Sequence, residues 1–159
     1  MVQKKLAAKL YGLISGTFAR SRYRDLDGHW RNRVYDGRFI FSAQGGFKPN
    51  SNWEFSLRWD WAGGMPYTPF DIETSQAAGS GVFDISMING RRLPDYQSLN
   101  IRADRRFYFR SSNLVLYISV WNVFNRKNTV SYYWNTIEQR PDSVNGWGVL
   151  PVFGVEFEF

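Results

Sequence analysis

The side chains best suited to chemistry in this sequence are aromatic rather than ionic. Tyr132, Tyr133, Trp134 and Trp147 fall within one polar stretch. Rings grouped in this way can stack on a sugar ring or a flat chelate, and they serve equally well as anchors at an apolar–water boundary. The familiar catalytic and metal-binding constellations do not occur. His29 is the single histidine and there is no cysteine, which removes thiolate metal sites, cysteine nucleophiles and disulfide scaffolds. Gly-x-Ser-x-Gly, His-Glu-x-x-His and the phosphate-cradling glycine loop are all missing. Ala78-Gly79-Ser80-Gly81 reads as a flexible loop element, because no Lys-Ser/Thr pair follows it. The expectation is therefore a protein that is not an enzyme, with no catalytic residues, no cofactor and no metal ligands, and with His29 on the surface of a long loop.

Composition points to an unusual surface. Of 159 residues, 43% are hydrophobic and 18% aromatic, with 13 Phe, 9 Tyr and 7 Trp. Mean hydropathy is only −0.42, and no run approaches the roughly 20 apolar residues that a spanning helix needs. A transmembrane barrel hides its apolar face in alternation, so its average hydropathy stays low. The formal charge is +6, but the basic residues are scattered and form only short pairs such as Lys4-Lys5, Arg91-Arg92 and Arg105-Arg106. That distribution argues against nucleic acid as a partner.

The elements that must carry these residues show two-residue alternation, the mark of a strand with two unlike faces. In Trp53–Ala62, Trp53, Phe55, Leu57, Trp59 and Trp61 share one parity, and Glu54, Ser56, Arg58 and Asp60 the other. Phe39, Phe41 and Phe47 repeat the pattern in Arg38–Phe47. Leu99, Ile101, Phe107 and Phe109 repeat it in Ser98–Phe109, where Arg105 breaks the apolar side. In the closing segment Phe153, Val155, Phe157 and Phe159 alternate with Gly154, Glu156 and Glu158. Leu114–Asn125 is apolar on both parities. Lys5–Tyr23 reads as one long, less regular strand, with a signal peptide over Met1–Ala19 as its alternative. Six strands result. Tight turns at Pro49–Asn52 and Arg110–Asn113 alternate with long polar stretches near 24–36, 64–97 and 126–147.

Long and short connections in alternation are the rhythm of an outer-membrane barrel, with short periplasmic turns and long extracellular loops. The fold class expected is all-β, an antiparallel transmembrane β-barrel portion. Phe39, Phe41, Phe47, Trp53, Phe55, Leu57, Trp59, Trp61, Leu99, Ile101, Phe107, Phe109 and Phe153 then face lipid, and Arg58 beside Asp60 and Arg102 beside Asp104 line a wet interior. Periodicity alone leaves two alternatives open. One is a small outer-membrane barrel acting as a pore or adhesin. The other is a soluble lipocalin-like binding barrel with the same stripes turned inward.

Four motifs carry a resemblance to a known family. Trp59-Asp60-Trp61-Ala62-Gly63-Gly64-Met65-Pro66-Tyr67-Thr68-Pro69 resembles the strand-to-loop junction of TonB-dependent outer-membrane receptors. Arg91-Arg92-Leu93-Pro94-Asp95-Tyr96-Gln97-Ser98-Leu99-Asn100-Ile101-Arg102 resembles the return into their next strand. Leu116 to Asn125, with its Asn-x-Phe-Asn ending, is similar to their penultimate strand. Gly154-Val155-Glu156-Phe157-Glu158-Phe159 resembles the signal read by the barrel-assembly machinery, through Gly154, Val155, Phe157 and Phe159, although Val152 stands where a polar residue is usual. The resemblance spans residues 1–159 as one unit. It implies about the last quarter of a roughly 22-stranded barrel, located in the bacterial outer membrane and importing a scarce ligand such as a siderophore, cobalamin or a glycan. The partners it implies are outer-membrane lipid, the assembly machinery, the plug and earlier strands of the receptor, and the TonB complex through that plug. The chain is thus expected to be a fragment.

Overall fold

The computed structural model describes the backbone of residues 2–7 and residues 9–159 in full. Antiparallel β structure dominates. One seven-stranded sheet contains β1 (Val2–Ala7), β2 (Leu10–Phe18), β5 (Phe39–Asn50), β6 (Trp53–Ala62), β9 (Tyr96–Tyr108), β10 (Asn113–Trp121) and β13 (Leu150–Glu158), in that spatial order. Every strand pairs with its neighbour in sequence along this sheet, so it is an open up-and-down meander with β1 and β13 as its edges. The remaining strands form three small hairpins in the long connections: β3 (Arg22–Arg24) with β4 (Trp30–Asn32), β7 (Pro66–Tyr67) with β8 (Arg91–Arg92), and β11 (Thr129–Asn135) with β12 (Arg140–Asn145).

The count of six strands is corrected to seven. The segment read as one strand over Lys5–Tyr23 is a hairpin, with Ala7 opposite Leu10, and Arg22–Arg24 beyond it belongs to a separate hairpin. Met1 and Ala8 lie outside the described residues. The extra short connection between Ala7 and Leu10 preserves the rhythm, because short and long connections still alternate along the sheet. The short turns are built locally. The Asn50 Oδ1 accepts from the Asn52 and Trp53 amides at 3.0 Å each, an Asx-type closure that explains the Asn-Ser-Asn sequence. The other turn is closed by the Phe109 amide on the Ser112 carbonyl. The long connection 63–95 also holds α1 (Ile72–Ala78), with Asp71 as N-cap and Gly79 in the left-handed conformation as C-cap. Gly79 within Ala78-Gly79-Ser80-Gly81 therefore stops a helix rather than loosening a loop.

Register gives the sheet two unlike faces. One row runs Leu10, Phe47, Phe55, Ala103, Ile118 and Phe153 across β2 to β13. The adjacent row runs Tyr11, Gly46, Ser56, Arg102, Ser119 and Val152. The burial is the reverse of a soluble sheet. Glu54, Ser98, Asp104 and Ser119 are buried, while Leu57, Phe153 and Phe157 on the apolar face are 52%, 72% and 58% exposed. Among the described residues only Val115 and Trp134 are buried hydrophobics. Val115 lies in the polar-face row between Arg106 and Glu156, so one residue of the doubly apolar β10 segment is packed while Leu116 and Ile118 stay exposed.

Candidate functional site

The three long connections emerge from one end of the sheet and are tied to one another at their bases. Asp36, from the first, is buried and accepts from the Ser21 amide at 2.6 Å. It also pairs with Arg92 from the second connection, whose guanidinium donates to the Gly64 carbonyl at 3.0 Å as well. Burial alone would raise the Asp36 carboxyl. The Ser21 amide and the Arg92 guanidinium outweigh that and hold it below the ordinary carboxylate value. Asp95 accepts from the Gly64 amide at 3.0 Å and the Trp61 indole at 3.2 Å. Gly64 runs so close to the Leu93 carbonyl that any Cβ there would collide with it. The Gly-Gly of the strand-to-loop motif and the Arg-x-x-Asp of the return motif are therefore two halves of one clamp.

The third connection is held by asparagines. Asn128 is buried and bridges the Gln97 amide and carbonyl at 3.0 and 2.8 Å. Asn122 is buried with a positive φ of 50° and donates to the carbonyls of Arg126 and Trp147 at 2.9 and 3.1 Å. Asn125, with φ 51°, accepts from the Val149 amide at 3.1 Å. Asn tolerates this left-handed conformation better than other side chains. The Asn-x-Phe-Asn ending thus closes both ends of the loop.

Above the clamp, all three connections contribute to an apolar groove of about 660 Å³. Val34 and Tyr35 come from the first, Tyr67, Phe70, Phe83 and Ile85 from the second, and Val130 and Tyr132 from the third. Tyr67 and Tyr132 pack with ring centres 5.0 Å apart, and Phe70 stacks on Phe83 at 4.8 Å. No charged side chain lines it. Volume and lining match the range of small-molecule sites.

The four loop aromatics separate. Tyr132 lines the groove. Trp134 is 8% exposed and sits edge-on against Phe70, as packing beneath the groove. Tyr133 points the other way, with its hydroxyl 3.3 Å from Asp142, and Trp147 is exposed beyond the hairpin. Sequence reasoning missed Tyr67, Phe70 and Phe83, because their convergence depends on how 63–95 folds. His29 is exposed in the β3–β4 turn, and no group of metal ligands forms among the described residues.

The thirteen aromatic and aliphatic side chains of the stripe share one face of the sheet or its continuation, including Phe41, Phe107 and Phe109. Val155 and Phe157 lie on that same parity of β13 and Phe159 follows it, while Gly154 lies opposite, where its missing Cβ makes room for the Tyr117 ring. The polar face holds a linked set of charges. Glu54 accepts from Tyr11, from Lys48 at 3.1 Å and from Arg106 at 3.0 Å. Arg102 grips Asp104 and reaches Glu156 at 3.3 Å while lying 3.8 Å over the Tyr117 ring. No helix is long and apolar enough to cross a membrane, which says nothing of strands. No protein-family model and no curated protein matches the chain.

Proposed function

We propose that this chain forms part of the wall of an outer-membrane β-barrel, as the C-terminal segment of a TonB-dependent receptor importing a scarce ligand. The carrying observation is the inverted burial of the sheet: Glu54 and Asp104 are shielded while Leu57, Phe153 and Phe157 are exposed. In water an apolar face this large is unfavourable by roughly 25 cal/mol for each Å² left uncovered. Against acyl chains it costs nothing, and the charged face lines an aqueous lumen. A soluble lipocalin-like barrel would turn the same rows inward. Strand lengths support the reading, since β5, β6 and β9 have 12, 10 and 13 residues and a tilted crossing strand needs about 9–11. The open edges β1 and β13 call for further strands, because a bilayer leaves no backbone group unpaired. The receptor's earlier strands supply them. The groove at the loop end is then the extracellular ligand contact, and the short turns are periplasmic.

The test is refolding of the parent receptor, with the tryptophans outside this segment replaced, into phosphatidylcholine vesicles with brominated acyl chains. Trp53, Trp59 and Trp61 lie on the apolar face, so a large loss of tryptophan fluorescence is expected, with heat-modifiable gel migration. A monomer that folds in plain buffer with shielded tryptophans would overturn the reading.

A further inference from the structure

Arg105 breaks the apolar side of β9, and among the described residues the sheet gives it no carboxylate partner. Of the cations in this sheet whose side chains are described, Lys48, Arg58, Arg102 and Arg106 each meet a carboxylate on the polar face. Arg105 lies on the opposite face, in register with Trp53 and Leu116. Among the described residues no carboxylate comes within ion-pair distance of it. Its guanidinium instead lies 4.9 Å from the Trp53 ring centre and 5.3 Å from that of Phe107. Two aromatic faces orient the planar cation and leave its N–H edge free.

Its height on the sheet matters as much as its company. Trp53 is the first residue of β6, so Arg105 stands level with the short-turn end of that strand. Along β9 the neighbour on the same face is the small Ala103, which leaves space on that side. A cation with a fork of donors, flanked by indole and phenyl at the edge of an apolar face, matches a phosphodiester at the headgroup layer.

We propose that Arg105, framed by Trp53 and Phe107, binds the phosphate of an anionic lipid headgroup in the leaflet at the short-turn side. The inference rests on the membrane reading above and goes beyond it, since that reading asks only for acyl contact. The N–H fork takes two phosphate oxygens and the rings pack against the upper acyl carbons. Arg pairs with phosphate in a bidentate manner where Lys offers only a point charge.

The test compares tryptophan quenching by brominated phosphatidylglycerol and brominated phosphatidylcholine in mixed vesicles holding the same receptor. One interfacial cation is expected to enrich the anionic lipid about fivefold at its site. Arg105→Gln should abolish the preference while overall quenching persists, and Arg105→Lys should keep part of it. Should Arg105→Gln fail to insert, the wild-type chain carries the test alone: about 1 M salt shortens screening to roughly 3 Å and should remove the preference. Free inorganic phosphate that abolished it at constant ionic strength would point to a soluble anion and overturn the lipid assignment. Equal preference in wild type and Arg105→Gln would overturn the proposal and leave the membrane reading standing. No quenching by either lipid would overturn both.

Discussion

In the sheet, the side chains withdrawn from solvent include Glu54, Ser98, Asp104 and Ser119, with Val115 the one apolar member among the described residues, and the exposed ones include Leu57, Ile118 and Phe153. At the loop end the order is that of a soluble protein: Trp134 is buried against Phe70, and Asp36 is buried because the Ser21 amide and Arg92 satisfy it. One chain follows two burial rules, and the boundary between them falls where the strands end. Burial follows the solvent that each surface meets. A sheet with its apolar face uncovered and a loop cluster packed around Trp134 and Asp36 are the two surfaces that the membrane proposal requires.

The sharpest way to break that contrast is to put a charge in the middle of the exposed apolar rows. Leu57 is 52% exposed, so on a water-facing surface Leu57→Arg should change stability by no more than about 0.5 kcal/mol. On a lipid-facing surface the same change costs about 2–4 kcal/mol. Under the membrane proposal, denaturant unfolding of the vesicle-inserted receptor is expected to give the larger figure. A neutral result would leave the sheet under the same rule as the loops.

The loop clamp should fail by ordinary protein chemistry. Asp36→Ala strands Arg92 against the Gly64 carbonyl and frees the Ser21 amide. The pair is buried on one side and partly solvated on the other, so a loss of about 2 kcal/mol is expected, between the surface and fully buried limits. Faster proteolysis in 19–38 and 63–95 with an intact sheet would report it. Acid should do the same reversibly. The Asp36 carboxyl is held below its usual value, so its contribution is complete above that value, near pH 4, and declines as pH falls through the depressed one. Loop amide protection dropping below about pH 4 in wild type, and not in Asp36→Asn, is the expected outcome.

Ligand contact separates two adjacent rings. Tyr132 lines the groove and Tyr133 faces away. Under the proposed function, Tyr132→Ala in the parent receptor is expected to weaken ligand binding up to about tenfold, in line with about 0.5–1.5 kcal/mol for an aromatic contact. Tyr133→Ala should leave it within twofold. Equal effects would remove the groove as the contact surface.

How much of this could be read in the residues follows the same division. Strict alternation in Trp53–Ala62 announced two unlike faces, because a period of two leaves each side chain one choice, whereas the cross-strand partners came only with the structure. The hairpin of β1 and β2 was not legible, since no Gly-Asn or Pro stands between Ala7 and Leu10. The groove was only a hint. Tyr132 stood out by its aromatic neighbours, but Tyr67, Phe70 and Phe83 are 49 or more positions away from it in sequence, and nothing local requires them to converge. Asp36 carried no signal, because its role depends on Arg92 arriving from another connection. The asparagines of the Asn-x-Phe-Asn ending were visible as a motif, and their left-handed backbone and carbonyl capping supply the reason.

The polar face of the sheet is tested by two glycines, of which Gly154 carries the smallest expected effect. Gly46 and Gly154 each lie opposite a tyrosine, Tyr11 and Tyr117, whose ring occupies the space a Cβ would need. A methyl group at either position pushes a ring off the polar face. The two rings differ in what holds them: Tyr11 donates to Glu54, whereas Tyr117 lies under Arg102 at 3.8 Å. Gly46→Ala therefore disturbs a hydrogen bond to a charged group, worth about 1.5–3 kcal/mol, and Gly154→Ala a cation–π contact worth about 0.5–1. Gly154→Ala is expected to cost about 1 kcal/mol and Gly46→Ala about twice that. Tyr11→Phe should reproduce the Gly46→Ala loss without adding to it in the double variant, because both act through the same bond. Full additivity would mean that the tyrosine fills space and nothing more, and the polar face would then be a surface coated with charges rather than a connected wall.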